Sequence, residues 1–154
     1  SHGIDNLFGR RNALPIQNML WNKEFFWDGG VPNLDLVPLN AIQSAVEMDE
    51  NPANVLAKLR AHPQYPGLFK AAFGTEEVNT ARFLQSLSQF MAMLVSANSP
   101  YDKHVRGESG GSLPAEALEG LAIFKEKCAT CHATDLFTDH SGPGLMHTPA
   151  PSAD

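Results

Sequence analysis

Cys128-Ala-Thr-Cys131-His132 constrains this chain more than any other feature, because it demands two thiols and an imidazole on one turn of backbone. A Cys-x-x-Cys-His run is how a protein holds c-type haem: the thiols become thioethers on the porphyrin vinyl groups, and the adjacent imidazole binds iron. The two-residue gap matches the span between the vinyls. No other cysteine is present, so none is left for a structural disulfide. A zinc half-site would want a second Cys/His pair at knuckle spacing. A redox dithiol would want a strand before it and a helix after it. Here a helical pattern comes before the motif, which favours haem.

The motif sits near the C-terminus, followed only by Ala133 to Asp154, a tail rich in Pro, Gly, Ser and His. A small cytochrome carries its haem motif early and wraps the porphyrin with the longer downstream part of its chain. A tail of this composition cannot bury so much apolar surface. The expectation is a fragment of a longer haem protein, incomplete at both ends. The chain has 154 residues, 43% hydrophobic and 18% charged, with a net charge of −6. That balance suits a globular domain and argues against nucleic acid and membrane surfaces as partners. An acidic surface would suit a basic redox protein. No apolar run reaches transmembrane length and no signal-peptide pattern is present. Because haem is ordinarily attached to this motif outside the cytoplasm, a cleaved leader or an engineered start is implied.

The fold class expected is all-α, with cytochrome c-like haem lobes and long irregular loops. Residues 1–50 carry Gly29-Gly30, Pro32-Asn33 and Pro38 without a sustained period, and read as loop with short helical turns. Asn51-Pro52 reads as a helix start, with Val55, Leu56 and Leu59 as the apolar stripe and His62-Pro63 as the end. A short helix is expected from Tyr65 to Phe73, closed by Gly74. The strongest pattern runs from Asn79 to Ser96, with Phe83, Leu84, Leu87, Phe90, Met91, Leu94 and Val95 at helical spacing. Asn98-Ser99-Pro100 should stop it. Gly107 to Ser112 reads as a linker between lobes 1–106 and 113–154. Pro114 opens a last helix through Lys127, in which Gly120, Ile123 and Phe124 share a face open to another helix or a porphyrin.

From His2 to about Asp139 the chain resembles the bacterial di-haem cytochrome c peroxidases and their MauG-like relatives. The resemblance is carried by Arg11-Asn12-Ala13 with Pro15 and Asn18, by Phe26-Trp27-Asp28-Gly29, Val46-Glu47-Met48 and Ala72-Phe73-Gly74. It continues through Asn98-Ser99-Pro100-Tyr101-Asp102 and Gly120-x-x-x-Phe124. It implies two haem lobes: an N-terminal haem that reacts with hydrogen peroxide, and a C-terminal haem that collects electrons from a small donor such as a cytochrome c. It also implies a bacterial periplasmic location, with room for a homodimer.

On this resemblance Cys128, Cys131 and His132 hold the electron-transfer haem. Trp27 falls on the tryptophan between the haems, although on its own it reads as a core anchor beside Phe25 and Phe26. Glu47 falls on the acid–base carboxylate of the peroxide pocket; alone it reads as a solvated surface residue. His2 falls on the displaceable distal ligand of the peroxidatic haem, and Asn12 on a ligand of calcium between the lobes. The first Cys-x-x-Cys-His of the family is absent and would precede residue 1. Gly30 stands where an Arg is common, and Val37 where a glutamine is frequent. Met146 is not at the spacing of the family's axial methionine, and Met146, His140 and His147 read as tail residues without a role. A MauG-like enzyme acting on a protein partner, or a mono-haem electron carrier without enzymatic activity, remains an alternative.

Overall fold

The computed structural model describes residues 2–138; the expectations for His140, Met146 and His147 lie outside them. Among the described residues the regular structure is helical, with two isolated β-bridges, His2 to Phe8 and Phe25 to Val31, and no strand. Three 3-10 turns come first, at Ile4–Asn6, Met19–Trp21 and Leu34–Leu36. The α-helices come after them: α1 Val37–Gln43, α2 Pro52–Ala61, α3 Tyr65–Phe73, α4 Thr80–Met93, α5 Pro100–Arg106 and α6 Ala115–Lys127.

Local chemistry explains most of these boundaries. Asn51 caps α2 by accepting from the Ala53 amide, and Asn79 caps α4 by accepting from Arg82. Gly74 closes α3 in the left-handed conformation, φ +77, where a Cβ would be strained. Pro38, which reads as punctuation, sits instead in the first turn of α1, where its missing N–H costs nothing.

Two boundaries depart from the expected pattern. Helix α4 ends at Met93 although Leu94 and Val95 continue the apolar stripe, because the chain there leaves the helix to pair with Asn18. The Asn18 amide N–H donates to the Leu94 carbonyl at 2.9 Å, its side-chain nitrogen donates to the Ser96 carbonyl at 2.9 Å, and its Oδ1 accepts from the Ser96 amide at 2.8 Å. Ser99-Pro100 does more than stop a helix. It begins α5, through a capping box in which Ser99 and Asp102 each accept from the other's backbone amide. The Ser99 hydroxyl, and after it the Ser99 amide, donate to the Asp102 carboxylate at 2.6 and 2.7 Å and hold it below its ordinary range.

The core has two parts. Ile42, Leu56, Phe69, Val78, Phe83 and Leu84 join α1 to α4, with Val78 only 1% exposed. Each such side chain contributes about 1.5–3 kcal/mol by leaving water. Arg60 Nε donates to the Val78 carbonyl at 2.8 Å and ties the end of α2 to this core. Met19, Phe25 and Met91 form the second part, which fastens the irregular N-terminal third to α4. The buried Ser88 of α4 donates to the Asp35 carboxylate across the same interface. Helix α6 is different, for none of its residues is buried.

Candidate haem-binding site

Helix α6 delivers the Cys-x-x-Cys-His motif. Cys128 is its C-cap, and the backbone then folds back: the amides of Cys131 and His132 both donate to the Cys128 carbonyl, at 3.1 and 2.9 Å. That single turn brings the two thiols and the imidazole together at the end of the helix. Both cysteines are free and exposed.

His132 Nδ1 lies 3.0 Å from the Phe137 carbonyl oxygen. A carbonyl can only accept, so Nδ1 carries the proton and Nε2 keeps its lone pair for a metal. This is the tautomer an axial ligand needs, and the second bond fixes its ring. Beside it runs an apolar groove of about 370 Å³ lined by Tyr101, Leu113, Ala117, Gly120, Leu121, Phe124 and Phe137. A Cβ built on Gly120 would meet nothing within 4 Å, so the groove is open over that residue. Paired thiols, a correctly protonated imidazole and an open apolar wall fit a c-type haem.

A second cavity, of about 550 Å³, connects this region to the N-terminal third. Trp27 lines it with Asn18, Phe25, Phe26, Ser96 and Leu136, the last lying just past the motif. Trp27 occupies the tip of a tight turn closed by the Phe25 amide donating to the Val31 carbonyl at 2.8 Å. Its indole N–H donates to the Asn12 carbonyl at 3.0 Å, and Arg11 pairs with Asp28 at 2.7 Å, so two consecutive residues clasp two others. Phe25 is the buried member of the aromatic cluster at 5%, whereas Trp27 is 40% exposed.

The third group lies at the N-terminus. The His2 ring meets Phe8 edge-on with centroids 4.3 Å apart, and its Nδ1 donates to the Asn6 side-chain oxygen, leaving Nε2 free. The loop is closed by the Gly3 amide donating to Leu7 at 2.9 Å. It is seated on Glu47: a Cβ on Gly3 would stand 2.0 Å from the Val46 carbonyl oxygen and 2.5 Å from Glu47 Cα. The Ile4 amide donates to the Glu47 carbonyl at 2.6 Å. The loop carrying His2 and the segment carrying Glu47 thus meet, and the Glu47 side chain is exposed. The Asn12 side chain is exposed too, and among the described residues no group of three or more His, Cys, Asp or Glu could hold a metal ion.

Phe137 is not a candidate that sequence reasoning finds. Its role is exercised by a backbone carbonyl, which no residue pattern announces, and its positive φ has no signal in a phenylalanine.

Residues 1–110 match the family model of the di-haem cytochrome c peroxidases, and the chain belongs to that family. The methylamine utilization protein MauG of Methylorubrum extorquens is 37% identical over 85% of this chain and 38% of its own length. The cytochrome c peroxidase Ccp of Escherichia coli is 32% identical over 86% of this chain and 28% of its own. Among solved structures, a MauG-like protein associated with microbial copper homeostasis superposes with a TM-score of 0.81 and 26% identity, over 97% of this chain and 45% of that one. The chain therefore spans less than half the length of these relatives. No helix among the described residues is long and apolar enough to cross a membrane.

Proposed function

We propose that this chain is part of a periplasmic di-haem peroxidase that reduces hydrogen peroxide to water with electrons from a small donor such as a cytochrome c. The single observation that carries the reading is the seating of the His2 loop on Glu47, a backbone contact that joins the segment bearing a candidate metal ligand to the one bearing a candidate acid–base carboxylate. The overall reaction takes hydrogen peroxide, two electrons and two protons to two waters.

Cys128 and Cys131 would anchor a haem through thioethers, and His132 Nε2 would bind its iron; when bound, the haem would supply one-electron redox chemistry at that end of α6. Trp27 offers an oxidisable indole on the cavity that adjoins the motif, held in orientation by the Asn12 carbonyl. The Glu47 carboxylate takes a proton from one peroxide oxygen and returns it to the other, the transfer that O–O cleavage requires. His2, with Nδ1 engaged by Asn6, would offer Nε2 as a displaceable ligand to the peroxidatic haem. Asn12 would give one oxygen to a calcium ion whose other ligands come from elsewhere.

The test is haem content by intact mass and pyridine haemochrome, together with peroxide-dependent oxidation of a reduced cytochrome by the di-haem protein. Turnover that falls by about 10²–10⁴ in Glu47→Gln supports the reading. A fully loaded protein that leaves peroxide unreacted would falsify it.

A MauG-like activity is the second reading, favoured by the 37% identity to a MauG and by the MauG-like solved structure. Here the same chain would oxidise residues of a protein partner. Oxidation of a partner protein in the absence of any donor cytochrome separates the two.

A further inference from the structure

Phe137 has a backbone conformation that its side chain disfavours, with φ at +55. A bulky residue in the left-handed region is strained and persists only where its surroundings impose it. Thr134, at the start of the same turn, is also left-handed with φ +63, and its carbonyl accepts from the Phe137 amide at 3.1 Å.

Aromatic packing on two sides holds the turn. The Tyr101 ring lies 5.0 Å from that of Phe137 at 54°, and the Phe124 ring lies 5.2 Å away at 86°. Phe124 belongs to α6, which also carries the haem motif. Tyr101 belongs to α5, and α5 is anchored without reference to that motif. The capping box fixes its first turn, Arg106 donates to the Ala97 carbonyl at 2.9 Å, and His104 Nδ1 donates to the Gly111 carbonyl at 3.0 Å. Gly111 is pressed so closely on α5 that a Cβ would lie 2.5 Å from the His104 backbone nitrogen. Tyr101 is therefore a fixed wall, against which the strained Phe137 turns its carbonyl onto His132.

We propose that Tyr101 is a positioning residue for the axial ligand: its ring wedges Phe137, and the Phe137 carbonyl in turn holds the His132 imidazole. The inference rests on the haem-binding reading of Cys128, Cys131 and His132. An imidazole whose Nδ1–H is engaged by a carbonyl is a more basic ligand at Nε2 and favours ferric over ferrous iron. Removing the Tyr101 ring lets Phe137 relax from its left-handed conformation, and the bond to His132 weakens. The reduction potential then rises. A ring that merely kept water from the groove would have the opposite effect, because its loss would admit water and stabilise the more highly charged ferric state.

The experiment is spectroelectrochemical titration of the full chain matured with c-type haem, as wild type, Tyr101→Ala and Tyr101→Phe, with haem content measured in each. Equal haem content, an upward shift of potential in Tyr101→Ala and none in Tyr101→Phe support the proposal. An unchanged or lowered potential in loaded Tyr101→Ala overturns it while leaving the haem-binding reading intact. Should Tyr101→Ala fail to fold, Tyr101→Leu, which keeps volume without the ring, gives the same two outcomes. A wild-type chain that takes up no haem overturns both readings together.

Discussion

Gly3 and Glu47 touch backbone to backbone, leaving no room between them for a side chain. The Gly3 dihedrals are extended and open to any residue, so contact alone explains why glycine is needed here. Gly3→Ala should lift the His2 loop from Glu47 while leaving the helical core intact. The expected result is a di-haem protein with unchanged haem content and thermal stability and at least tenfold slower reaction with peroxide, read by stopped flow.

Phe25 lies at the centre of the smaller core, between the N-terminal third and α4. Truncating a buried phenylalanine costs about 3–5 kcal/mol. In Phe25→Ala the loss should fall first on residues 2–31, which have no other apolar anchorage of this size. Limited proteolysis should cut there while α2 to α4 stay protected.

Ser99 caps α5, and the cap fixes Tyr101. Ser99→Ala removes the hydroxyl that accepts from the Asp102 amide and should destabilise the chain by about 1 kcal/mol. For a chain of this size that lowers Tm by about 2–4 °C, measurable by circular dichroism.

Glu50 contributes a pH dependence with a definite sign. A hydrogen bond from Lys58, then one from the Asn51 amide and one from Asn54, lowers its carboxyl from 4.5 to about 2. A carboxyl depressed on folding stabilises the native state above its unfolded value, and that contribution is lost as pH falls through the folded value. The Tm difference between wild type and Glu50→Gln should be constant above pH 4.5, shrink on acidification and vanish below about pH 2. A difference independent of pH from 7 to 2 would sink the assignment.

Helices α2, α3 and α4 are legible in the sequence because their starts and stops are local: an Asn cap before Pro52, a left-handed Gly74, an Asn cap before Thr80. Where a distant residue decides, the pattern misleads. Leu94 and Val95 read as helix, yet Asn18 claims the backbone of Leu94 and Ser96 on either side of Val95. The Ser99 to Asp102 capping box is also local, but the proline beside it reads more readily as a terminator. At the site, Cys128, Cys131 and His132 declare themselves by spacing. The carbonyl that holds His132, and the contact that brings Gly3 onto Glu47, arise only from tertiary packing.

The reciprocal bonds between Asn18 and Ser96 close a loop of 78 residues and impose an order on synthesis. The segment around Asn18 emerges from the ribosome before the end of α4 on which it docks, which follows those 78 residues roughly 4 to 16 s later at ordinary translation rates. Until then Met19 and Phe25 have no Met91 to pack against. The segment that bears His2 and Trp27 is thus made well before the surface it packs on, and for that interval its apolar side chains lack their partner on α4.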